Sequence, residues 1–390
     1  MERIITETMI QLISSEICGN TLDLSDNVKL TEKFMVELLL LSRKHDVAHI
    51  VASALMNNGL LDNSPQAGLF MNEFYKAVYN REKLNETYDE ICSLLEKKHI
   101  PYIPLKGAVI CNLYPQAWMR TSCDIDILVK EENLEKAVRA IKETDGYTVK
   151  GESEHDVVIK APNGTVVELH YKLLGKKSSP LYSRNVLSEV WKTAKPENES
   201  GYLYRLSDEV FYYYHFLHMA KHFRIGGCGI RPFLDLLIID KNFNCDALTL
   251  NKLLKKGKLL KFAKYARNLN SVWFSGAEHN EITLQMQKYI VDGGMFGTAK
   301  TRLISNNQRS GGKKSYIFSR IFVPYSYLKR DYPILEKYPI LTPVCEICRL
   351  WSFLFGKKKN FKDKYIEKLN YSETNNLDIS STLFKDLGLK

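Results

Sequence analysis

The 390-residue chain lacks any run of 18 uncharged apolar residues, which is about the length that a membrane-spanning helix requires. Its first segment, residues 1–18, carries charged side chains at Glu2, Arg3, Glu7 and Glu16, so it has no uncharged stretch of the kind found in secretory signals. We therefore expect no membrane span and a cytoplasmic location.

A disulfide framework and a complete set of zinc ligands are also missing. The eight cysteines are scattered along the chain, several of them inside apolar runs, which is typical of reduced, buried thiols. Cys345 and Cys348 form a lone CxxC pair, but a structural zinc site needs four ligands and no second pair lies nearby. We interpret these two cysteines as neighbours on one helical turn.

The composition is that of an ordinary folded protein with an excess of positive charge. It is 45% hydrophobic and 26% charged, which excludes disorder of the whole chain. The net charge of +10 is concentrated in two segments: residues 251–270 carry seven Lys and Arg and no acid, and residues 313–390 carry 15 basic against 8 acidic residues. Such surfaces suit an anionic partner, although a solvated helix face explains them equally well.

Helical and extended patterns divide the chain into four regions. Residues 1–98 form an N-terminal helical region, residues 99–200 a small core with short strands, and residues 201–304 a C-terminal helical region. Residues 305–390 comprise a linker, a basic helical segment and a tail. The predicted fold class is α+β, with a small mixed sheet flanked by N-terminal and C-terminal helices.

Strand patterns are clearest in the second region. Residues 123–130 alternate apolar and acidic side chains, as a strand with one polar face does. Residues 156–160 and 165–171 are rich in β-branched residues and flank a Pro-Asn-Gly turn, which predicts a hairpin. In the second strand of this hairpin, Glu168 and His170 share one face.

Asp124 and Asp126 are the sharpest chemical signal. Alternate residues of a strand lie on one face about 7 Å apart, and two neighbouring carboxylates resist ionisation together, so a cation between them is a natural explanation. Magnesium prefers such oxygen ligands. Glu168 can supply a third carboxylate from a neighbouring strand, and three acids can hold two metal ions for displacement at phosphorus. Simple alternation on a half-solvated strand would also produce an isolated Asp-x-Asp.

Two features upstream of these acids indicate a phosphate site. Lys106 and Gly107 lie at a strand-to-helix turn, where a glycine lets backbone N–H groups approach a phosphate. Arg120 can offer a bidentate fork to phosphate oxygens. Together with Asp124 and Asp126, these residues indicate a site for a triphosphate and a metal ion.

The combined motifs resemble the uncharacterised nucleotidyltransferase family of the DNA-polymerase-beta-like superfamily. The resemblance covers residues 99–172 best, and it continues weakly through residues 218–222 and 231–235. It is carried by Leu105-Lys-Gly107, Tyr114-Pro115, Arg120-Thr-Ser-Cys-Asp-Ile-Asp-Ile-Leu-Val129 and Glu168-Leu-His170.

This resemblance implies a nucleotidyltransferase core with Asp124, Asp126 and Glu168 as catalytic and metal-binding residues. The metal would be Mg²⁺, with Mn²⁺ as the alternative, and the substrate a nucleoside triphosphate, with ATP as the default. A nucleoside monophosphate would move to an unidentified acceptor and pyrophosphate would leave. In the superfamily a Ser or Gly usually follows the glycine of the turn; Ala108 stands there instead, so one hydroxyl for phosphate is absent and Lys106 would compensate.

Further candidates lie outside the acidic strand. The nucleotide-binding or pocket residues that we add to Lys106, Gly107, Ala108 and Arg120 are His170, Lys221, His222, Arg231 and Asp235. On a helix, His215, His218 and His222 fall on one face and could ligate a transition metal, but packed, hydrogen-bonded histidines explain the same spacing.

Three functional hypotheses stay open at this point. The first is nucleotide transfer to a small molecule, glycan, peptide or protein. The second is an RNA- or tRNA-directed nucleotidyltransferase, which the basic segments favour although no RNA-binding signature is present. The third is an inactive nucleotide-binding or assembly protein, which only the missing Ser or Gly after Gly107 supports.

Overall fold

A computed structural model of the chain describes residues 2–24, 28–62, 64–175, 181–197, 201–298, 325–355 and 377–389. It has the predicted α+β architecture, in which one five-stranded mixed sheet is surrounded by helices. The predicted linker at the start of the region 305–390 lies outside the described residues. Within the described ranges, no helix combines the length and the apolar character needed to cross a bilayer.

The central sheet positions the acidic residues. Its strands are β1 (Tyr102–Pro104), β2 (Asp124–Val129), β3 (Thr148–Glu152), β4 (Asp156–Lys160) and β5 (Val166–His170). Their order across the sheet is β1-β2-β5-β4-β3. Strands β2 and β5 run parallel, whereas every other neighbouring pair is antiparallel. The predicted hairpin is β4–β5, and its turn contains Gly164 with a φ of 89°.

Helices form the rest of the described structure. Those before the sheet are α1 (Glu2–Cys18), α2 (Glu32–Lys44), α3 (Ala48–Asn57) and α4 (Ala67–Lys97). Those among the strands are α5 (Gly107–Ile110) and α6 (Leu134–Lys142). Two short helices, α7 (Leu181–Leu187) and α8 (Val190–Thr193), precede the two-stranded ribbon of β6 (Lys195–Pro196) and β7 (Tyr204–Arg205).

The C-terminal helices follow the ribbon. They are α9 (Asp208–Ile225), α10 (Arg231–Asn242), α11 (Ala247–Lys256), α12 (Leu260–Ser275), α13 (Glu281–Gly293), α14 (Tyr325–Asp331), α15 (Ile334–Lys337), α16 (Thr342–Phe355) and α17 (Leu377–Asp386). Ser207 caps α9 by accepting from the N–H of Val210, and Gly226 ends it with a φ of 105°.

Apolar residues recur at helical spacing from Glu32 to Met56 and from Ala247 to Asn268, but each of these segments is divided into two helices in the structure. The segment from Glu32 to Met56 is interrupted at Asp46, and the segment from Ala247 to Asn268 is interrupted at Lys258. Both residues adopt a positive φ, 57° and 56°, which a right-handed helix cannot continue through. Neither break contains a proline, so the apolar periodicity runs across it and hides it from the sequence.

The two faces of the sheet have different surroundings. Ile125, Ile127, Val167 and Leu169 point to one face and share a core with helices α4 and α6. The opposite face carries Asp124, Asp126, Glu168 and His170, because side chains alternate along each strand. A larger core joins the N-terminal helices to α9–α13 and α17. The polar face of the sheet therefore looks towards the helices, where the candidate site lies.

Candidate active site

The acidic residues of β2 and β5 meet at the centre of the sheet. Asp126 lies directly opposite Glu168 in the parallel register. Its Oδ1 accepts one hydrogen bond from the Nζ of Lys106 and another from the Nε2 of His170, each at 2.8 Å. Oε2 of Glu168 lies 3.5 Å from the same Nε2. Ligand atoms of Asp126, Glu168 and His170 all lie within 4.8 Å of one another, so these three side chains could hold a metal ion.

Asp124 stands at the edge of this group. Its Oδ1 accepts from the hydroxyl of Ser122 at 3.0 Å, and its side chain lines the same cavity as Glu168 and Lys106. Burial and then the charge of Asp126 raise the pKa of the Asp124 carboxyl. A carboxylate held close to another carboxylate is stabilised by a cation. Asp124 therefore faces the cavity beside, and not within, the group of three side chains whose ligand atoms converge.

Asp126 and His170 form a strongly polarised buried pair. Burial raises the pKa of Asp126, but the ammonium of Lys106 and the hydrogen bond from His170 outweigh it, so the net pKa is lowered. For His170, burial lowers the pKa, and the hydrogen bonds to Asp126 and Glu168 reverse this, so the net pKa is raised. Asp126 is thus held as a carboxylate. Among the described residues, both of its hydrogen bonds reach Oδ1 and none reaches Oδ2.

Lys106 occupies a strained backbone position. Its φ of 41° and ψ of −111° lie outside the regions that non-glycine residues favour, at a cost on the order of 1–3 kcal/mol. Burial lowers its pKa, but the neighbouring Tyr214 and Asp126 outweigh this and the net pKa is raised. Its ammonium lies 5.9 Å from the ring centre of Tyr214. This backbone conformation places the positively charged ammonium group of Lys106 beside the carboxylates.

A cavity of about 780 Å³ opens over the polar face of the sheet. On the sheet side it is lined by Lys106, Asp124, Glu168 and His170. The opposite wall is helix α9, whose Tyr214, His218 and Lys221 face the cavity at helical spacing. The cavity thus has carboxylates on the side of the sheet, and an imidazole and an amine on the side of helix α9.

The charges of α9 favour an anion in this cavity. Burial, followed by the charge of Lys106, lowers the pKa of Lys221. The same two causes, in the same order, lower the pKa of His218 well below its ordinary value. Within the described part of the chain, no ion pair reaches Lys221. An anionic group between Lys106 and Lys221 would relieve their repulsion, as a phosphate does.

The turn at Gly107 departs from the prediction in one respect. Helix α5 is a single turn, so its dipole adds little to the binding of a phosphate. The N–H of Ala108 already donates to the carbonyl of Leu105 at 3.1 Å. At Gly107, a Cβ atom would collide with Nη1 of Arg120. The glycine is therefore required by close packing, and Ala108 offers no free amide to a phosphate.

Arg120 and Asp235 are partners of each other. Nη2 of Arg120 lies 3.0 Å from Oδ2 of Asp235, Nε lies 3.2 Å from Oδ1, and the hydroxyl of Tyr114 donates to Oδ1 at 2.9 Å. All three residues are buried. The fork that the sequence argument assigned to phosphate is thus directed at a carboxylate, and this buried ion pair joins the sheet region to α10.

The remaining predicted residues surround a second, smaller cavity of about 90 Å³. Arg231 donates to the carboxylate of Asp46 and, at 3.0 Å, to the carbonyl of Thr121. His222 lines this smaller cavity and not the main one, although the centre of its ring lies 4.4 Å from that of His218. His215 bonds the carbonyl of Pro232 at 2.9 Å, so it is a packed histidine.

Sequence reasoning missed several residues at the main cavity. Tyr214 lies seven residues before Lys221 on the same face of α9, and this spacing was a usable signal. His155 and Asp156, at the start of β4, lie beside His170, because Asp156 pairs with His170 across the sheet. Only the order of the strands reveals that neighbourhood.

The donor chemistry of the site fits a magnesium ion. Asp124, Asp126 and Glu168 offer carboxylate oxygens, which are the ligands that Mg²⁺ prefers, and three carboxylates exceed the positive charge that Lys106 alone provides. The cavity leaves room for phosphate oxygens to complete the coordination.

Comparison with known protein families identifies the family of this chain. A family model described as an uncharacterised nucleotidyltransferase matches residues 35–275, which include the whole sheet and helices α9–α12. The chain belongs to this nucleotidyltransferase family. It is therefore an enzyme of the transferase class, and both the acidic strands and the opposite wall of the cavity lie inside the family region.

Other comparisons are less specific. A comparison with curated proteins gave no match. Among solved structures, the solution structure of the antibiotic-resistance factor ANT(2'')-Ia is similar to this nucleotidyltransferase, with 11% identity and a TM-score of 0.35. That similarity covers 48% of this chain and 95% of the other.

Proposed function

We propose that this enzyme transfers a nucleoside monophosphate from a nucleoside triphosphate to an acceptor hydroxyl and releases pyrophosphate. The observation that carries the proposal is the arrangement of Asp124, Asp126 and Glu168 on one face of the sheet, with Lys106 beside them and Lys221 across the cavity. Carboxylates for a metal ion and amines for the phosphate charge are what a metal-bound triphosphate requires.

The metal would be held by Asp124, Asp126 and Glu168. Oδ2 of Asp126 is the natural ligand atom, because Lys106 and His170 both occupy Oδ1. A bound divalent cation supplies electrostatic stabilisation of the phosphate charges. His170 and Lys106 fix the orientation of the Asp126 carboxylate, which keeps the ligand geometry constant during turnover.

The residues of the chain perform the remaining tasks. Lys106 and Lys221 neutralise phosphate oxygens from two sides of the cavity. The acceptor oxygen forms a bond to the α-phosphorus, the bond from this phosphorus to the β-phosphate bridge breaks, and pyrophosphate leaves. Glu168 lies at the floor of the cavity, and the carboxylate oxygen that does not hold the metal would take the proton of the acceptor hydroxyl.

The acceptor is approached from the basic rim. The lysines of residues 251–264 are exposed, and Lys258 lines the cavity with its Nζ 4.8 Å from the ring centre of Tyr182. This placement favours an acceptor that carries negative charge. An RNA or tRNA end is the second candidate, because the exposed lysine row continues from the cavity along α11 and α12; the first candidate is a small molecule, glycan, peptide or protein.

The proposal is tested by supplying the full-length protein with each α-labelled nucleoside triphosphate, Mg²⁺ or Mn²⁺, and a cell extract. We expect the label to appear in one acceptor and pyrophosphate to be released in equal amount. Nuclease treatment of the extract distinguishes an RNA acceptor, because only then does it abolish labelling.

Asp124→Asn should abolish labelling, and Asp145→Asn is the matched control, since Asp145 is exposed on the loop after α6 and lies outside the cavity. Full labelling by a folded Asp124→Asn variant would reject the assignment. Failure of the wild-type protein to bind any triphosphate in the presence of metal would instead favour an inactive binding or assembly protein.

A further inference from the structure

A second cluster of ligand side chains lies beside the acidic centre, on the part of the sheet formed by β4 and β5. Ligand atoms of His155, Asp156 and His170 lie within 4.8 Å of one another. Asp156 and His170 are 7% and 3% exposed, and His155 is half-buried at the wall of the main cavity. Two imidazoles and one carboxylate differ from the all-oxygen set of Asp124, Asp126 and Glu168, and they suit a softer ion.

Hydrogen bonds of Ser153 hold His155 beside Asp156. The hydroxyl of Ser153 donates its one proton to Oδ1 of Asp156 at 2.8 Å. The same hydroxyl contacts Nδ1 of His155 at 2.9 Å, and its oxygen accepts from the backbone N–H groups of His155 and Asp156, so Ser153 holds the imidazole in place. The other ring nitrogen, Nε2, faces Oδ2 of Asp156 at 3.2 Å. A proton or a metal ion between these two atoms satisfies both of them.

His170 completes the arrangement. Its Nε2 donates to Asp126 at 2.8 Å, so its other nitrogen, Nδ1, is the free position. Nδ1 is buried and, among the described residues, has no hydrogen-bond partner. A buried polar atom without a partner costs about 1–3 kcal/mol. A histidine that binds a metal through one nitrogen and a carboxylate through the other is the usual arrangement in metalloproteins.

We propose that His155, Asp156 and His170 bind a divalent transition metal of the zinc type, because their ligand atoms lie within 4.8 Å of one another and, among the described residues, Nδ1 of His170 is buried without a partner. The 3.2 Å between Nε2 of His155 and Oδ2 of Asp156 matches the separation of about 3.3 Å between two ligands of a tetrahedral zinc with bonds of about 2.0 Å. The cavity beside His155 and His170 provides both an entry path and a place for a water molecule as fourth ligand.

The proposed metal would be coupled to the acidic centre through one ring. His170 would coordinate it through Nδ1 while Nε2 keeps its hydrogen bond to Asp126, so the ion fixes the tautomer and the orientation of the imidazole. Ser153 is a positioning residue, since it holds both His155 and Asp156. This site does not depend on the proposed transfer reaction, because its binding can be measured without any nucleotide.

The test uses the full-length protein after removal of metals, titrated with Co²⁺ in the presence of excess Mg²⁺. Magnesium occupies oxygen sites, so the visible ligand-field absorption of tetrahedral Co²⁺ reports nitrogen-containing coordination. We expect one equivalent to bind and Zn²⁺ to displace it. His155→Ala and Asp156→Asn should each weaken binding at least about a hundredfold, and Ser153→Ala about tenfold.

Two controls separate this site from the acidic centre. Asp124→Asn should leave the Co²⁺ spectrum unchanged although it abolishes nucleotide transfer, and His279→Ala, which removes a histidine far from the sheet, should also bind normally. Circular dichroism checks that each variant is folded. The proposal is overturned if the wild-type protein binds no Co²⁺ with a tetrahedral spectrum, or if a folded His155→Ala variant binds it as tightly as the wild type.

Discussion

Two polar clusters lie near the short helix α5, and they use carboxylates and basic side chains differently. In the acidic centre, Asp126 has two donors on Oδ1, and Asp124 and Glu168 face an open cavity. In the Arg120–Asp235 cluster, both carboxylate oxygens of Asp235 are bonded by Arg120, and Tyr114 adds a third donor. The first cluster has unused ligand positions, whereas the second is saturated. A saturated buried pair stabilises the fold, and an unsaturated one is available for chemistry.

The largest difference should appear in Asp124→Asn. Because this change removes a metal ligand, we expect nucleotide transfer to fall by at least about ten-thousandfold, which corresponds to about 5 kcal/mol of transition-state stabilisation. The free energy of unfolding should stay the same or rise, because the charge repelled by Asp126 is gone. Labelling assays and urea unfolding measure the two quantities. A variant that lost stability but kept nucleotide transfer would show that Asp124 stabilises the fold and does not take part in the reaction.

Asp235→Asn should show the opposite behaviour. It leaves the buried guanidinium of Arg120 without its counter-charge, and breaking such a pair costs about 3–5 kcal/mol of stability. Urea unfolding detects this loss. The double variant Arg120→Met with Asp235→Leu removes both charges and should recover most of the stability. If the single variant were as stable as the wild type, the pair would not hold α10 to the sheet region.

Gly107→Ala tests the packing between the two clusters. The added methyl group would collide with Nη1 of Arg120, and Arg120 cannot move without breaking its bonds to Asp235. We expect a loss of about 3 kcal/mol, at the upper end of the range for overpacking. Gly151→Ala is the control, because nothing lies within 4 Å of a Cβ atom at that exposed position. Equal stabilities for the two variants would show that the Arg120 side chain can move away from the added methyl group without a loss of stability.

A buried histidine in the helical region should make the stability of the protein depend on pH. His45 is fully buried in the helical region, and burial, followed by the charge of Lys44, lowers its pKa to about 3. In the unfolded chain its pKa is about 6.5, so the unfolded state binds the extra proton below that pH and stability falls as the pH falls. Between pH 6.5 and 5 this histidine alone should cost about 2 kcal/mol.

His45→Gln should remove that part of the pH dependence, measured by urea unfolding at pH 7 and pH 5. The exposed His99→Gln serves as the control and should keep the dependence of the wild type. An unchanged slope in His45→Gln would mean that His45 is protonated in the folded protein.

Lys221→Met should produce the smallest effect. It removes one of two amines that face the phosphates, while Lys106 remains, so we expect KM for the triphosphate to rise about tenfold, or about 1.4 kcal/mol. The value of kcat should change less than KM, because the contact is made in the ground state as well. Lys142→Met is the control, because Lys142 is exposed on α6 and does not line the cavity. A loss in kcat with unchanged KM would place Lys221 at the reacting phosphorus instead.

Local patterns predicted the elements that carry the site. The alternation at Asp124 and Asp126 predicted β2, the Pro-Asn-Gly turn predicted the β4–β5 hairpin, and the fold class and the family resemblance were both confirmed. The same kind of reasoning could not give the partner of Arg120. A guanidinium accepts either a phosphate or a carboxylate, and the choice depends on which group reaches it from a helix more than a hundred residues away.

The sequence by itself determined which side chains share a face, because strand and helix periods are local properties of the backbone. It also determined the family, through the spacing of the acids and the turn. Only the tertiary structure decided that β5 lies beside β2, that α9 closes the cavity with Lys221, and that His155 and Asp156 meet His170. These outcomes depend on strand order and on which buried groups satisfy one another, and both are set by contacts between distant parts of the chain.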